Sequence, residues 1–199
     1  MAKNQASGDN HDSERYEYRV WGKRRKARKA LKKLADSSST EVMDDCYFLV
    51  DDPEWNAKVR DSTLKVKQLV GHKRGFERWT ADWHTNAKRL DAPFDQLFDD
   101  LHLDRVQRGK RFSITKAVAK LDDDPAARPV FVKKCRTRYL IGSIRAEVTD
   151  ITLTETGEEL HTLAIEGADL DALVALRKRL GLKGLDNVPV HVAIDPEAD

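Results

Sequence analysis

The stretch Lys58-Val59-Arg60-Asp61-Ser62-Thr63-Leu64-Lys65-Val66-Lys67 alternates cationic and apolar residues on either side of an Asp-Ser pair. Alternation with a period of two marks a strand, and two residues suffice to turn one strand back along the next. The turn predicts that Arg60 lies opposite Thr63 and Lys58 opposite Lys65. Lys58, Arg60, Lys65 and Lys67 then share one sheet face. The pattern returns where Lys134, Arg136 and Arg138 line one face of Val130 to Leu140. A one-residue shift of register would put Lys133 in place of Lys134. Like charges on one face repel unless water or an anion separates them. A solvated hairpin accounts for a single such face, whereas its recurrence in two distant segments favours an anion site. The fold is constrained accordingly. The charged faces look into a water-filled cavity, while Val59, Leu64, Val66, Phe131 and Val148 turn outward, toward covering helices.

Overall charge supplies no such attraction. The 199 residues carry 36 basic and 34 acidic side chains, a net charge of +2, so polyanions are drawn only by local segregation of charge. At 40% apolar and 35% charged residues, the chain suits one charge-rich globular domain with a real core. Cys46 and Cys135 lack metal-ligand spacing and read as reduced, buried small hydrophobes. No apolar run approaches the length of a membrane span, and the polar start, Met1 to Ser13, has no signal-peptide core, so a cytoplasmic protein without membrane contact is expected. A Walker-type loop, a Gly-x-Ser-x-Gly elbow and a paired-cysteine zinc site are all missing from the sequence.

Residues 1–13 read as a disordered tail and 195–199 as a second one. Tyr16 to Trp21 alternates as a first strand, with Glu17, Arg19 and Trp21 on one face. Lys26 to Leu34 is a basic helix with Ala27, Ala30, Leu31 and Leu34 at helical spacing, and Asp36 to Thr40 reads as a loop. A second strand spans Asp45 to Val50. Gly71 and Gly75 bracket a turn, and Phe76 to Trp83 resumes a strand, with Glu77 and Trp79 opposite Arg78 and Thr80. From about 84 to 129 the periodicity becomes helical. Strands return at Val130 to Leu140, Ser143 to Leu153 and Leu160 to Glu166, separated at Ile141-Gly142 and near Gly157. Ala168 to Leu180 is an amphipathic helix buried through Leu170, Leu173, Val174 and Leu180, ended by Gly181 and Gly184. Val188 to Ile194 reads as a short last strand. The class is α+β: an antiparallel sheet system in two halves with a helical segment between them.

This order resembles a CYTH domain, the fold of the triphosphate tunnel metalloenzymes, over residues 14–194. The likeness runs through Asp45-Cys46-Tyr47-Phe48, Lys58-Val59-Arg60, Leu64 to Lys67, Phe76-Glu77-Arg78-Trp79, Lys134-Cys135-Arg136, Arg145-Ala146-Glu147 and Glu166. The resemblance implies an eight-stranded antiparallel tunnel that holds a triphosphate-containing small molecule or polyphosphate with basic side chains. It also implies that glutamates bind Mg²⁺ or Mn²⁺ for hydrolysis. Arg19, Lys58, Arg60, Lys65, Lys67, Arg78, Lys134, Arg136, Arg138 and Arg145 would hold phosphates. Glu17, Glu77, Glu147 and Glu166 would hold metal, the first three also acting in catalysis. The family's opening motif is Glu-x-Glu-x-Lys, and the matching stretch here is Arg15-Tyr16-Glu17-Tyr18-Arg19. Arg15 replaces the first glutamate, and Glu14 points to the opposite face from Glu17. One carboxylate fewer favours an alternative, a binding module that takes a polyanion without cleaving it.

Each charged residue also has an ordinary structural reading. Glu17 with Arg19, and Arg145 with Glu147, fit internal ion pairs. Asp150 falls on the other face from Glu147 and reads as structural. Trp21, Trp79 and Trp83 suit core packing better than stacking on a base, and His72 and His84 read as exposed. The basic run Lys23-Arg24-Arg25-Lys26, with Arg28, Lys29, Lys32 and Lys33, is a solvated helix face or, as a second alternative, a contact for nucleic acid.

Overall fold

The computed structural model describes residues 14–61, 63–80, 83–85, 119 and 127–195. Among these, strands β1 (Arg15–Trp21), β2 (Ser37–Val50), β3 (Trp55–Arg60), β4 (Thr63–Lys73) and β5 (Phe76–Trp79) make up the first half. Strands β6 (Trp83–Thr85), β7 (Ala127–Ile141), β8 (Ile144–Leu153) and β9 (Glu159–Gly167) follow. Helix α1 (Arg25–Leu34) joins β1 to β2, and α2 (Leu170–Arg179) and α3 (Val190–Ala193) come after β9. All pairings are antiparallel. Eight strands close in the order β1-β9-β8-β7-β2-β3-β4-β5 and back to β1, while β6 extends the ladder on β4 beside β5. Closure leaves no long free edge among the eight.

The turn at Asp61 sets the register anticipated from the sequence. Arg60 lies opposite Thr63 and Lys58 opposite Lys65, and Asp61 takes φ of 49°, a conformation its short polar side chain tolerates. At the tip between β7 and β8, Gly142 adopts φ of 58°, which lets Ile141 pair directly with Ile144.

The sandwich of helix on sheet lies outside the barrel. Tyr18 and Val20 of β1, Phe76 of β5, Ala146 and Val148 of β8, and Leu163 and Ile165 of β9 pack with Ala27 and Leu31 of α1 and Leu173 and Leu176 of α2. The outward apolar, inward charged arrangement expected from the sequence thus holds at Val148, and Leu64 and Val66 are also buried. Phe131 also faces outward, but no helix among the described residues covers it and it is 58% exposed.

Several expectations are corrected. Residues 37–40 are strand, not loop, because β2 pairs with β7 from Ser37 opposite Leu140 to Val50 opposite Ala127. A Ser-Ser-Ser-Thr run has turn chemistry locally, but a full ladder on its neighbour overrides that weak preference. β5 ends at Trp79. Gly71 sits inside β4 at a register slip between Leu69 and Gly71, where its φ of 147° suits glycine alone. Residues 190–193 form helix α3 rather than a strand. Residues 188–194 meet a closed barrel with no edge left to extend. Both cysteines are free, but Cys135 is exposed and Cys46 half-buried, since each lies on the outer face of β2 or β7. Most of the helical segment expected at about 84–129, and the tails at 1–13 and 196–199, lie outside the described residues. Among the described residues, no helix is long and apolar enough to cross a membrane.

Candidate anion-binding site

Strand alternation carries the charged residues inward. β3 and β4 contribute Lys58, Arg60, Lys65 and Lys67, and β7 adds Lys134, Arg136 and Arg138. β1 adds Glu17 and Arg19, β8 Arg145 and Glu147, and β9 Glu166. Nine cationic side chains and three carboxylates thereby line one cavity of about 460 Å³, within the range of small-molecule sites. At one end α3 closes the barrel. Val190 and Ile194 pack with Tyr47, Leu49, Val132 and Ile151, and Trp21 Nε1 donates to the Val188 carbonyl at 2.9 Å. The opposite rim carries Ser37, Ser38, Ser39, Arg138, Leu140 and Arg145, with Arg138 and Arg145 side chains more than half exposed. The lumen is therefore a cup with an apolar floor, a charged middle and a basic mouth.

Three carboxylate-centred groups organise the middle. Asp45, opposite Arg60 across β2 and β3, accepts Arg60 Nε and Nη2 at 2.6 Å each and Lys134 Nζ at 3.0 Å. Burial would raise its pKa, but the Arg60 hydrogen bonds and Lys134 hold it well below the ordinary carboxylate range. Glu17 accepts Arg19 Nε at 3.0 Å and Nη2 at 2.9 Å, and the same Nη2 donates to Glu147 at 2.8 Å. Burial opposes both ionised glutamates, and Arg19 outweighs it, aided by Lys67 at Glu17 and Arg136 at Glu147. Glu41 accepts Arg136 Nε at 2.8 Å and also pairs with Arg138.

Lys58 and Lys65 stand apart: among the described residues no carboxylate pairs with either. Lys58 Nζ lies 5.3 Å from the centre of the Tyr47 ring, and burial, with Lys134 and Arg60 nearby, pushes its pKa well below the ordinary lysine range. Burial also brings Lys134 down to about 8 against the pull of Asp45. Two polar atoms on the cavity wall, Thr149 Oγ1 and Asn56 Oδ1, have no hydrogen-bond partner among the described residues.

Two expected residues fall elsewhere. Arg78 projects from the outer face of β5, opposite in direction to Glu77, where it meets Glu14 at 3.5 Å and the Val70 carbonyl at 3.3 Å. It is not a lumen residue. Glu77 is on the inner face but only 5% exposed, accepting Trp79 Nε1 at 3.1 Å. Burial, with Glu17 adding to it and Trp79 opposing, lifts its pKa to about 7. Glu77, Glu17 and Glu166 form a row across β5, β1 and β9. Glu166 is likewise raised, by burial and then by Glu17.

These carboxylates do not fit a divalent ion as they stand. Among the described residues, no three acidic, histidine or cysteine side chains converge as a metal site. Glu17 and Glu147 are both taken by Arg19, and Asp45 by Arg60 and Lys134.

Sequence reasoning missed Asp45, Glu41 and Tyr47. The alternation Asp45-Tyr47-Leu49 was visible, but nothing in the sequence showed that β2 would place Asp45 directly against Arg60. Glu41 lies in the first half of β2, directly after a Ser-Ser-Ser-Thr run whose turn chemistry masks the strand. Outside the barrel, Asp150 pairs with Arg28 and His161, the structural role expected of it.

No family model and no curated protein matches the sequence. Among solved structures, the chain is similar to the PH1012 protein of Pyrococcus horikoshii OT3 at 19% identity and TM-score 0.50, covering 88% of this chain and 94% of that one. It is also similar to a conserved hypothetical protein of Pyrococcus furiosus at 17% identity and TM-score 0.54, covering 88% and 95%. A slighter likeness, TM-score 0.45 at 13% identity over 85% of this chain and 88% of that one, is to the Hippeastrum protein HpAC1, described as having a dominant triphosphatase activity. Closed barrel and charged lumen together define an eight-stranded antiparallel tunnel fold.

Proposed function

We propose that the barrel is a receptor for a compact polyanion of the triphosphate class, inorganic or attached to a small organic group. The observation that carries this reading is the imbalance within the lumen. Nine cations line about 460 Å³ against the five carboxylates that pair with them, Glu17, Glu147, Glu166, Asp45 and Glu41, and Lys58 and Lys65 lack any carboxylate among the described residues. A protein does not confine surplus positive charge in a closed space without cost, and a phosphate chain supplies both the opposite charge and the acceptors. In this reading Lys58, Lys65 and Lys67 hold the anion from β3 and β4. Arg136, Arg138 and Arg145 hold it from the mouth, and Arg60, Lys134 and Arg19 form the fixed charged wall behind. The apolar floor made by α3 limits how deeply the chain of phosphates enters.

A second reading, hydrolysis of the bound triphosphate, draws on the row Glu77-Glu17-Glu166. A carboxylate whose pKa is raised toward neutrality, as that of Glu166 is, suits a general base that takes a proton from attacking water. Phosphate release from tripolyphosphate and ATP, with and without Mg²⁺ or Mn²⁺, separates the readings. A rise in melting temperature with tripolyphosphate and no turnover supports the receptor. Turnover lost in Glu166→Gln supports the hydrolase. Neither turnover nor stabilisation contradicts both.

A further inference from the structure

The Arg19 guanidinium occupies the gap between two carboxylates from different strands. It is 7% exposed, reaches Glu17 through Nε and Nη2 at 3.0 and 2.9 Å, and reaches Glu147 through Nη2 at 2.8 Å. Its remaining nitrogen, Nη1, donates to Thr162 Oγ1 at 3.4 Å. Glu147 also accepts Arg136 Nη1 at 3.3 Å through its other oxygen. A divalent ion needs several free oxygen ligands around one point. Here the Glu17 and Glu147 oxygens that approach each other along the β1-β9-β8 wall already bond a fixed cation, one that cannot lose its proton.

We propose that Arg19 is the resident cation of this barrel. It fills the place between Glu17 and Glu147, so a polyphosphate binds without a divalent ion, and removal of the guanidinium frees those carboxylates to take one. The first half of this proposal rests on the reading of the lumen as a polyanion receptor; the second half stands on the Arg19 geometry alone. The guanidinium also turns the two glutamates from repellents of phosphate into a neutralised part of the wall. Arg19 is thus a positioning and charge-setting residue rather than one that must touch the anion.

Two titrations test it. In the first, tripolyphosphate is titrated calorimetrically into the wild-type protein in EDTA and again with Mg²⁺ present. The expected result is affinity in EDTA at least as high as with Mg²⁺, because free Mg²⁺ competes for the anion. Affinity that appears only with Mg²⁺, or rises more than about tenfold, overturns the proposal while leaving the receptor reading intact. No binding in either buffer sinks the receptor reading instead, and the second titration then decides the role of Arg19. In that titration Mn²⁺ alone is followed by its paramagnetic resonance signal against wild type and Arg19→Ala. Arg19→Gln, which keeps a donor for Thr162, replaces Arg19→Ala if that variant does not fold. Wild type is expected to leave the Mn²⁺ signal unchanged and the variant to bind one ion. Mn²⁺ binding by wild type as tight as by the variant, or no binding by a folded variant, overturns the proposal.

Discussion

Two regions of this molecule are built from the same cationic side chains and behave differently. In α1 and the residues leading into it, eight of the twelve positions from Lys23 to Leu34 are Lys or Arg, and in the barrel nine cations line the cavity. On α1 the charges are solvated. Arg28 alone among the described ion pairs of this helix has an acidic partner, Asp150 at 2.9 Å, and Lys26, Lys29, Lys32 and Lys33 are exposed. Its first turn has no acidic residue and no side-chain cap, against the preference of a helix N-terminus for negative charge. By contrast α2 is capped by Asp169, whose side chain accepts Ala172 N at 3.0 Å, and carries Asp171 first and Arg177 to Arg179 last. α1 is held instead by Ala27 and Leu31 against the barrel. In the lumen five of the nine cations, Arg19, Arg60, Lys134, Arg136 and Arg138, are locked by carboxylates within 3.3 Å, and Lys58 and Lys65, which no carboxylate among the described residues pairs with, face a confined volume. Charge density alone does not make an anion site; geometry and enclosure do.

The widest gap between the regions concerns stability. Asp45→Asn strands Arg60 and Lys134 in the interior, and a loss of about 3–5 kcal/mol is expected by urea denaturation. Asp150→Asn, which releases Arg28 on the surface, is expected to lose less than about 1 kcal/mol. Equal losses at the two sites would break the comparison.

Glu77 gives the next largest effect. Its pKa rises from an ordinary 4.5 to about 7 on folding, so the folded protein binds this proton more tightly than the unfolded chain does. The resulting stability is fully present below about pH 4.5 and is lost as pH climbs through 7, a decline of order 3 kcal/mol. Glu77→Gln is expected to remove that decline and to melt above wild type at pH 8. A wild-type melting temperature that is flat between pH 5 and 7.5, in the absence of ligand, contradicts this.

The smallest expected effect falls on α1. Lys29→Gln with Lys33→Gln is expected to change stability by less than about 0.5 kcal/mol and tripolyphosphate affinity by less than about twofold. A tenfold loss of affinity in this variant would move the anion site from the lumen to the helix. A steep fall in RNA or DNA binding with salt, abolished by the same variant, would give α1 a separate role.

Much of the barrel was legible because strand alternation is a local signal. The hairpin through Asp61, the inward set Lys58, Arg60, Lys65 and Lys67, and the set Lys134, Arg136 and Arg138 all follow from a period of two and one tight turn. What was lost depended on partners distant in sequence. The β2–β7 ladder turned Ser37 to Thr40 into strand and brought Glu41 opposite Arg136. Helix α3 replaced an expected strand because the barrel had already closed. Arg78 lies outside the lumen for a different reason: the resemblance implies both Glu77 and Arg78 for the site, but neighbours in one regular strand face opposite ways. The pairing of Arg19 with both Glu17 and Glu147 spans 128 residues for its longer half, and only the closed sheet brings those strands together.

Lys58 and Lys65, which no carboxylate among the described residues pairs with, are the lumen side chains that most directly need an anion. Calorimetric titration of tripolyphosphate into wild type and into the Lys58→Ala, Lys65→Ala double variant tests this directly. One site per chain is expected in wild type, weakened at least tenfold in a double variant that remains folded, as the loss of charge-assisted hydrogen bonds requires. Wild-type affinity retained by the double variant, or no measurable heat from the wild-type protein, would contradict the assignment of the lumen as the anion site.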